Sequence, residues 1–334
     1  MNNIHLLIPD LFLPRQIAGE VCAGLALPAL ETLLARAQPV PLPAESLEAW
    51  LCATFGVADQ AIAPITLRAD GVEPGASYWL RADPVHLLLQ RDQLLLQADV
   101  PLSAGEAAQL CASLNAHFDG HGLHFIAPHP QRWYLRTDAA PEMSTCPLAQ
   151  VAGRNVHAHL PQGADALRWH GIFNEIQMCL FDHAVNQARE ARGALPINSL
   201  WLWGGGRAVG ELARPYASVC GDSDLASAFA QVAGIPGKVL PDDASVAGLD
   251  GDALFVHEGL SRALRHGDLH AWRDELQRLE QGCVQPLLEA LRGGRIARLT
   301  LDAVQAGASR RFVLTRGAAW KLWLRRRPLA RYAI

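Results

Sequence analysis

What the chain lacks narrows its class before any motif is read. No stretch of its 334 residues approaches the ~20 uninterrupted apolar positions that a membrane helix needs. The richest runs, Ile4–Leu13 and Ser199–Trp203, are short and contain Pro or Asp or end in glycines. The start, Met1-Asn2-Asn3-Ile4-His5, has no basic segment, so no secretory signal is expected and the cytoplasm is the default location. Lysine is nearly missing, with Lys238 and Lys321 alone, which reads mainly as codon bias. A net charge of −4 argues against nucleic-acid binding. The seven cysteines (Cys22, Cys52, Cys111, Cys146, Cys179, Cys220 and Cys283) form no C-x-x-C pair. They read as reduced, mostly buried thiols, not as a disulfide scaffold or a zinc ribbon. Internal repeats and low-complexity segments are also missing.

What is present fits a folded chain with a substantial core: 50% hydrophobic and 19% charged residues. The length suggests two domains, or one interrupted by an insertion. His5 to Ile8 reads as a buried strand whose end presents Asp10. Helical spacing covers 27–37, prolines 39, 41 and 43 break the chain, and 45–55 is a second helix with Ser46 at its start. From about Ile62 short strand-like runs surround a helix that opens with Ser103 and Glu106 as a capping box. That texture implies an antiparallel α+β unit.

After about Ala164, helix and strand alternate again. Trp169 to Ala191 reads as one long helix, and Ser199–Trp203 as a strand running into Gly204-Gly205-Gly206. A helix over 222–233, strands at 238–240 and 253–257, a helix over 271–291 and strands at 296–301 and 311–315 follow. The expected architecture is an α/β core, 1–62 plus 163–334, with a mainly parallel sheet covered by helices on both faces. An α+β subdomain, 63–162, interrupts it. The tail from Trp320 to Arg331 alternates Trp/Leu with Lys/Arg and reads as a last strand; it would also suit an acidic protein partner or a membrane surface.

Ligands of open α/β sheets bind at the carboxyl ends of strands. That rule selects Asp10, the glycines 204–206, His257 with Glu258, and Asp302. Ser46 either caps its helix or uses the helix N-terminus to stabilise a phosphoserine. The histidines at 117, 121, 124 and 129, and the pair at 157 and 159, lack partners at metal-ligand spacing. The densest polar run is His183 to Gly206. Its Arg189 and Arg192 can fork onto carboxylate or phosphate oxygens, and Asn186 and Asn198 can orient hydroxyls. The same residues equally suit a helix terminus pinned to its loop.

The His183–Gly206 run resembles a segment of the archaeal-type cofactor-independent phosphoglycerate mutases, of the alkaline phosphatase superfamily. Together with Ala82-Asp83-Pro84-Val85-His86-Leu87, it resembles more closely a bacterial family described as RpfE-type regulatory proteins. The resemblance implies an alkaline phosphatase-like fold and, for an intact mutase, two-metal phosphoryl transfer through a serine. Carried over by position, Asp10, His266 and Asp302 are the implied metal ligands and Ser46 the implied serine. Arg262 stands where an aspartate is implied, Ala303 where a histidine is, and no histidine follows His270. Two adjacent dications need more ligands than these.

The expectation is therefore a degenerate, regulatory or small-anion-binding relative that holds no cofactor or one weakly bound divalent cation. Asn186, Arg189, Arg192, Asn198 and Arg262 would face a small phosphorylated or carboxylate ligand, with Arg262 standing in for a lost metal. The alternative is an active metal-dependent phosphomutase or phosphatase working through phosphorylated Ser46.

Overall fold

The computed structural model describes residues 2–238 and 251–334. Its strands are β1 (Asn2–Pro9), β2 (Gln38–Pro41), β3 (Tyr78–Gln90), β4 (Gln93–Gln97), β5 (Leu123–His129), β6 (Arg132–Thr137), β7 (Ser199–Gly206), β8 (Ser218–Gly221), β9 (Gly237–Lys238), β10 (Ala253–Val256), β11 (Ile296–Val304) and β12 (Arg310–Thr315). The chain divides into two compact units, one of Met1–Gly56 with Leu212–Ile334, the other of Val57–Glu211. The division differs from the expected boundaries: residues 57–62 and 163–211 belong with the second unit.

The first unit is built on a seven-stranded sheet in the order β2-β12-β11-β1-β10-β8-β9. β11, β1, β10, β8 and β9 run parallel, and β12 and β2 close one edge antiparallel. β1 lies between β11 and β10, so both its edges are paired, and its last four residues are buried on both faces, which is why it reads as a near-continuous apolar run. Ile4, Leu6 and Ile8 pack into a core that includes Leu30, Leu33, Trp272, Leu276 and Leu287 from the helices Pro28–Arg36, Leu269–Leu279 and Gln285–Arg292. Burying each such leucine or isoleucine contributes roughly 1.5–3 kcal/mol. On the helices Leu47–Phe55 and Asp224–Ala233, Phe55 meets Phe229 edge-on at 5.4 Å.

The helix expected over 271–291 contains a π turn at Glu280–Val284. That turn aims buried Glu280 at the start of the helix Pro28–Arg36, where its carboxylate accepts from the Ala29 and Leu30 amides at 2.6 and 2.9 Å. Local periodicity does not register this long-range cap.

The second unit is a five-stranded sheet, with β4-β3-β6-β5 in order and β7 beside β3, all antiparallel. The capping box at Ser103 and Glu106 opens the helix Ala104–His117 as expected, and Ala166–Phe181 packs into the same core. The long helix expected from Trp169 is two helices, because His183 caps a new one at Ala184–Ala191 by accepting from the Val185 amide. β7, expected in the parallel core, pairs antiparallel with β3. An apolar strand run carries no information on the direction of its neighbour.

Two further expectations change. Residues 38–41, with Pro39 and Pro41, form edge strand β2, a position that tolerates proline because one side of the strand needs no partners. β2 thereby takes the edge of β12 that the tail would otherwise have met. Residues 320–328 are an exposed irregular segment instead. The strand expected over 238–240 is described only to Lys238.

Candidate functional site

Asp302, the implied final metal ligand, is inside a closed polar cluster. In β11 it pairs with Leu7 on one side and Arg311 on the other. The Arg311 guanidinium donates to both carboxylate oxygens, at 2.7 and 2.6 Å, and Trp50 Nε1 donates to Oδ2 at 2.6 Å. His5 Nε2 stands 2.9 Å from the same oxygen, and Nδ1 of that ring meets the Tyr216 hydroxyl at 2.7 Å. The carboxylate is 0% exposed. Although burial pushes the Asp302 carboxyl upward, the hydrogen bonds of Arg311 and His5 outweigh it and bring it down to about 2.

A second group of polar side chains gathers at the carboxyl ends of β1, β10 and β8. Asp10 leaves β1 with φ 54°, an uncommon conformation for a residue with a Cβ, held by its amide on the Val304 carbonyl at 3.0 Å. Its carboxylate accepts from the Ser261 hydroxyl. Glu48 lies in the first turn of the helix that Ser46 caps; burial raises its carboxyl, and Asp10 adds to the rise while Ser46 and Arg265 oppose it. Glu258, following β10, is pushed up to about 7, chiefly by burial and further by Glu48 and Asp222.

Asp222 follows β8, where its Oδ1 accepts from the Glu258 amide at 2.7 Å and Oδ2 lies 3.7 Å from Arg262. His257 is fixed at the end of β10 by its amide on the Leu7 carbonyl. Its ring Nε2 is buried and lies 3.1 Å from Glu275 Oε1, without meeting hydrogen-bond geometry. Glu275 comes from the helix Leu269–Leu279, and its other oxygen pairs with Arg278. The neighbouring His257 holds the Glu275 carboxyl below the usual range, against the effect of burial. Ligand atoms of Asp222, His257 and Glu275 all lie within 4.8 Å of one another, the one such group of three or more among the described residues.

No family model matches the chain. Among curated proteins it is 36% identical over 66 residues to a probable 2,3-bisphosphoglycerate-independent phosphoglycerate mutase of Geobacter sulfurreducens, which covers 20% of this chain and 16% of that one. It is 27% identical over 176 residues to the corresponding mutase of Methanothrix thermoacetophila, covering 46% and 45%. The Methanosarcina acetivorans mutase is 26% identical over 210 residues, covering 56% and 53%. The chain therefore spans about half the length, or less, of these curated relatives. Its sequence is phosphoglycerate mutase-like.

Among solved structures, the PH0037 protein of Pyrococcus horikoshii matches with a TM-score of 0.53 at 10% identity, over 94% of this chain and 87% of that one. A cofactor-independent phosphoglycerate mutase of Thermoplasma acidophilum matches at 0.47 and 13%, over 95% and 90%. The α/β class with a mainly parallel sheet expected from the sequence is the one observed.

The two metals of an intact mutase do not fit these residues. Asp302 is buried and paired with the Arg311 guanidinium and the Trp50 N–H, Ala303 offers no ligand, and exposed His266 ends the short helix Gly259–Arg265 beyond Arg262. Among the carried-over ligands only Asp10 stands in the carboxyl-edge cluster.

The anion-binding expectation needs correction as well. Asn186 donates to the Leu180 and Ile197 carbonyls and accepts from the Ile197 amide. Arg189 spends its guanidinium on Leu195, Glu106 and Pro101, while Arg192 shares Glu106. Asn198 bonds both backbone groups of Leu87. Asn186, Arg189 and Asn198 brace the second unit with their donors turned inward, whereas Arg192 reaches Glu106 from a half-exposed side chain. Arg262, at the carboxyl edge of the first unit, keeps about half its side chain in solvent beside Asp222. The glycines 204–206 are spacers: a Cβ at each would come within 2.9 Å of Ile62, 2.4 Å of Tyr78 or 2.3 Å of Ala61. Ser46 accepts from the Ala49 amide at 3.2 Å and so caps its helix.

The strand-end rule found Asp10, His257 and Glu258. It would have found Asp222 had β8, only four residues long, been legible. Glu275 and Glu48 sit on helices and have no local signal.

Proposed function

We propose that this chain is a phosphoglycerate mutase-like protein that has given up two-metal phosphoryl transfer and serves as a regulatory protein, binding a small phosphorylated or carboxylate ligand in the cytoplasm. The enclosure of Asp302 carries the reading. A fully buried carboxylate that accepts from Arg311 on both oxygens and from Trp50 on Oδ2, with His5 Nε2 2.9 Å from Oδ2, faces cationic and N–H groups where a metal ligand would face a cation. Arg262 and Arg265 supply positive charge at the carboxyl edge of the sheet, where an anionic ligand of such a fold would lie. A protein partner would meet the exposed tail, where Trp320, Leu322 and Trp323 alternate with Lys321 and precede Arg325–Arg327.

The test is turnover of 3-phosphoglycerate and of p-nitrophenyl phosphate with Mn²⁺ present, alongside calorimetric titration of both 3-phosphoglycerate and citrate. The reading expects no turnover above buffer, and anion binding weakened at least fivefold in Arg262→Ala. Turnover that disappears in Ser46→Ala would establish the phosphoserine enzyme in its place.

A further inference from the structure

We propose that Asp222, His257 and Glu275 form a binding site for one first-row divalent cation, of the Zn²⁺, Co²⁺ or Mn²⁺ class. It shares no residue with the ligands that the mutase resemblance implies, Asp10, His266 and Asp302.

The first observation is the imidazole. His257 is 7% exposed, and its Nε2 has no hydrogen-bond partner. An unsatisfied buried nitrogen costs about 1–3 kcal/mol; the ion-pair contact with Glu275 offsets part of that, and an aligned ligand bond would offset the rest. What it faces is the pair of carboxylates, one 3.1 Å away. Donor atoms bound to one cation at about 2.0–2.2 Å sit roughly 3–4 Å apart. The observed separations, all within 4.8 Å, require only a small contraction.

The second observation is the backbone. Gly259 begins the helix Gly259–Arg265, and a Cβ there would come within 2.4 Å of Glu275 Oε1. Its φ is not in the left-handed region, so conformation does not require glycine here. The missing Cβ is what admits the Glu275 carboxylate to the side of His257. Three rigid elements thus converge: the end of β8, the end of β10 and the helix Leu269–Leu279.

One imidazole nitrogen and two carboxylate oxygens suit a borderline first-row ion better than Ca²⁺ or Mg²⁺, which favour oxygen alone. Arg262 and Arg278 neutralise part of the carboxylate charge from outside, so the affinity is expected to be micromolar and not nanomolar. The site stands independently of the proposed regulatory role, since a cation can sit here whether or not any ester is turned over.

The test loads the full chain with Co²⁺, Zn²⁺ or Mn²⁺ after EDTA treatment and dialysis. It reads stoichiometry by elemental analysis, affinity by calorimetry, and coordination by the visible absorption of the Co²⁺ form. Expected are one ion per chain and a visible band of four- or five-coordinate cobalt. The affinity should fall at least tenfold in His257→Ala and in Glu275→Gln, and stay within twofold in His266→Ala. Gly259→Ala should weaken binding while leaving all three ligands in place. Circular dichroism checks that each variant is folded; Glu275→Gln, a change that keeps the side chain's shape, keeps the test decisive if His257→Ala unfolds. No stoichiometric binding below 1 mM of any of the three ions, or equal binding in Glu275→Gln, overturns the proposal. Ester turnover without triad-dependent metal binding would sink the regulatory reading and this site separately.

Discussion

Replacing Asp302 with asparagine separates a metal ligand from an internal anchor. In the folded chain its carboxyl titrates at about 2, against 3.8 for a free aspartate. The folded value is the lower one, so the stabilisation is complete above about pH 4 and disappears as the pH falls through 3.8 towards 2. The difference corresponds to roughly 2 kcal/mol at neutral pH. Asparagine loses that and leaves the Arg311 guanidinium beside Trp50 and His5 without its counter-charge. Removing one partner of a buried pair typically costs about 3–5 kcal/mol; Arg311 keeps about a third of its side chain in solvent, so the expected loss is about 2–3 kcal/mol. The assay is urea unfolding at pH 7 of EDTA-treated protein, followed by tryptophan fluorescence with the slope compared between variants. The wild type should in addition lose roughly 2 kcal/mol between pH 5 and pH 2 that Asp302→Asn does not lose. A loss under 1 kcal/mol without metal, coupled to a large drop in metal affinity, would refute the anchor and restore Asp302 as a ligand.

In the second unit, Asp83 is 2% exposed and binds the Arg81 guanidinium at 2.5 Å and Trp203 Nε1 at 2.6 Å. Asp83→Ala is expected to cost about 3–5 kcal/mol in urea unfolding, more than the double change with Arg81→Met, because the single change leaves a buried cation unpaired. Glu280→Ala, read by thermal unfolding, should cost about 1–3 kcal/mol, since two amides at the start of the helix Pro28–Arg36 lose their acceptor. Asn186→Ala should destabilise by about 2 kcal/mol while leaving affinity for 3-phosphoglycerate unchanged, as its bonds all serve the Leu180–Ile197 connection. Ser46→Ala, as loss of a helix cap, should cost about 1 kcal/mol.

Much of the fold was written locally. β1, the helix at 28–36, the capping box at Ser103 and Glu106, and the free cysteines follow from spacing and residue type, because each depends on neighbours a few positions away. His257 was legible as a strand-end residue for the same reason. The polar run 183–206 shows where local reading fails: its Asn and Arg side chains carry the same donors whether they face a ligand or a carbonyl.

The sequence by itself determined the class of the molecule, the order of its main elements and the alanine at 303, where the mutase resemblance implies a histidine. Tertiary structure alone decided that β7 turns antiparallel onto β3, that Arg311 closes over Asp302, and that Asp222 and Glu275 meet His257. The physical reason is range. Propensity and capping act over one or two helical turns, whereas strand direction, counter-ion choice and ligand clustering depend on groups 9 to 120 positions apart.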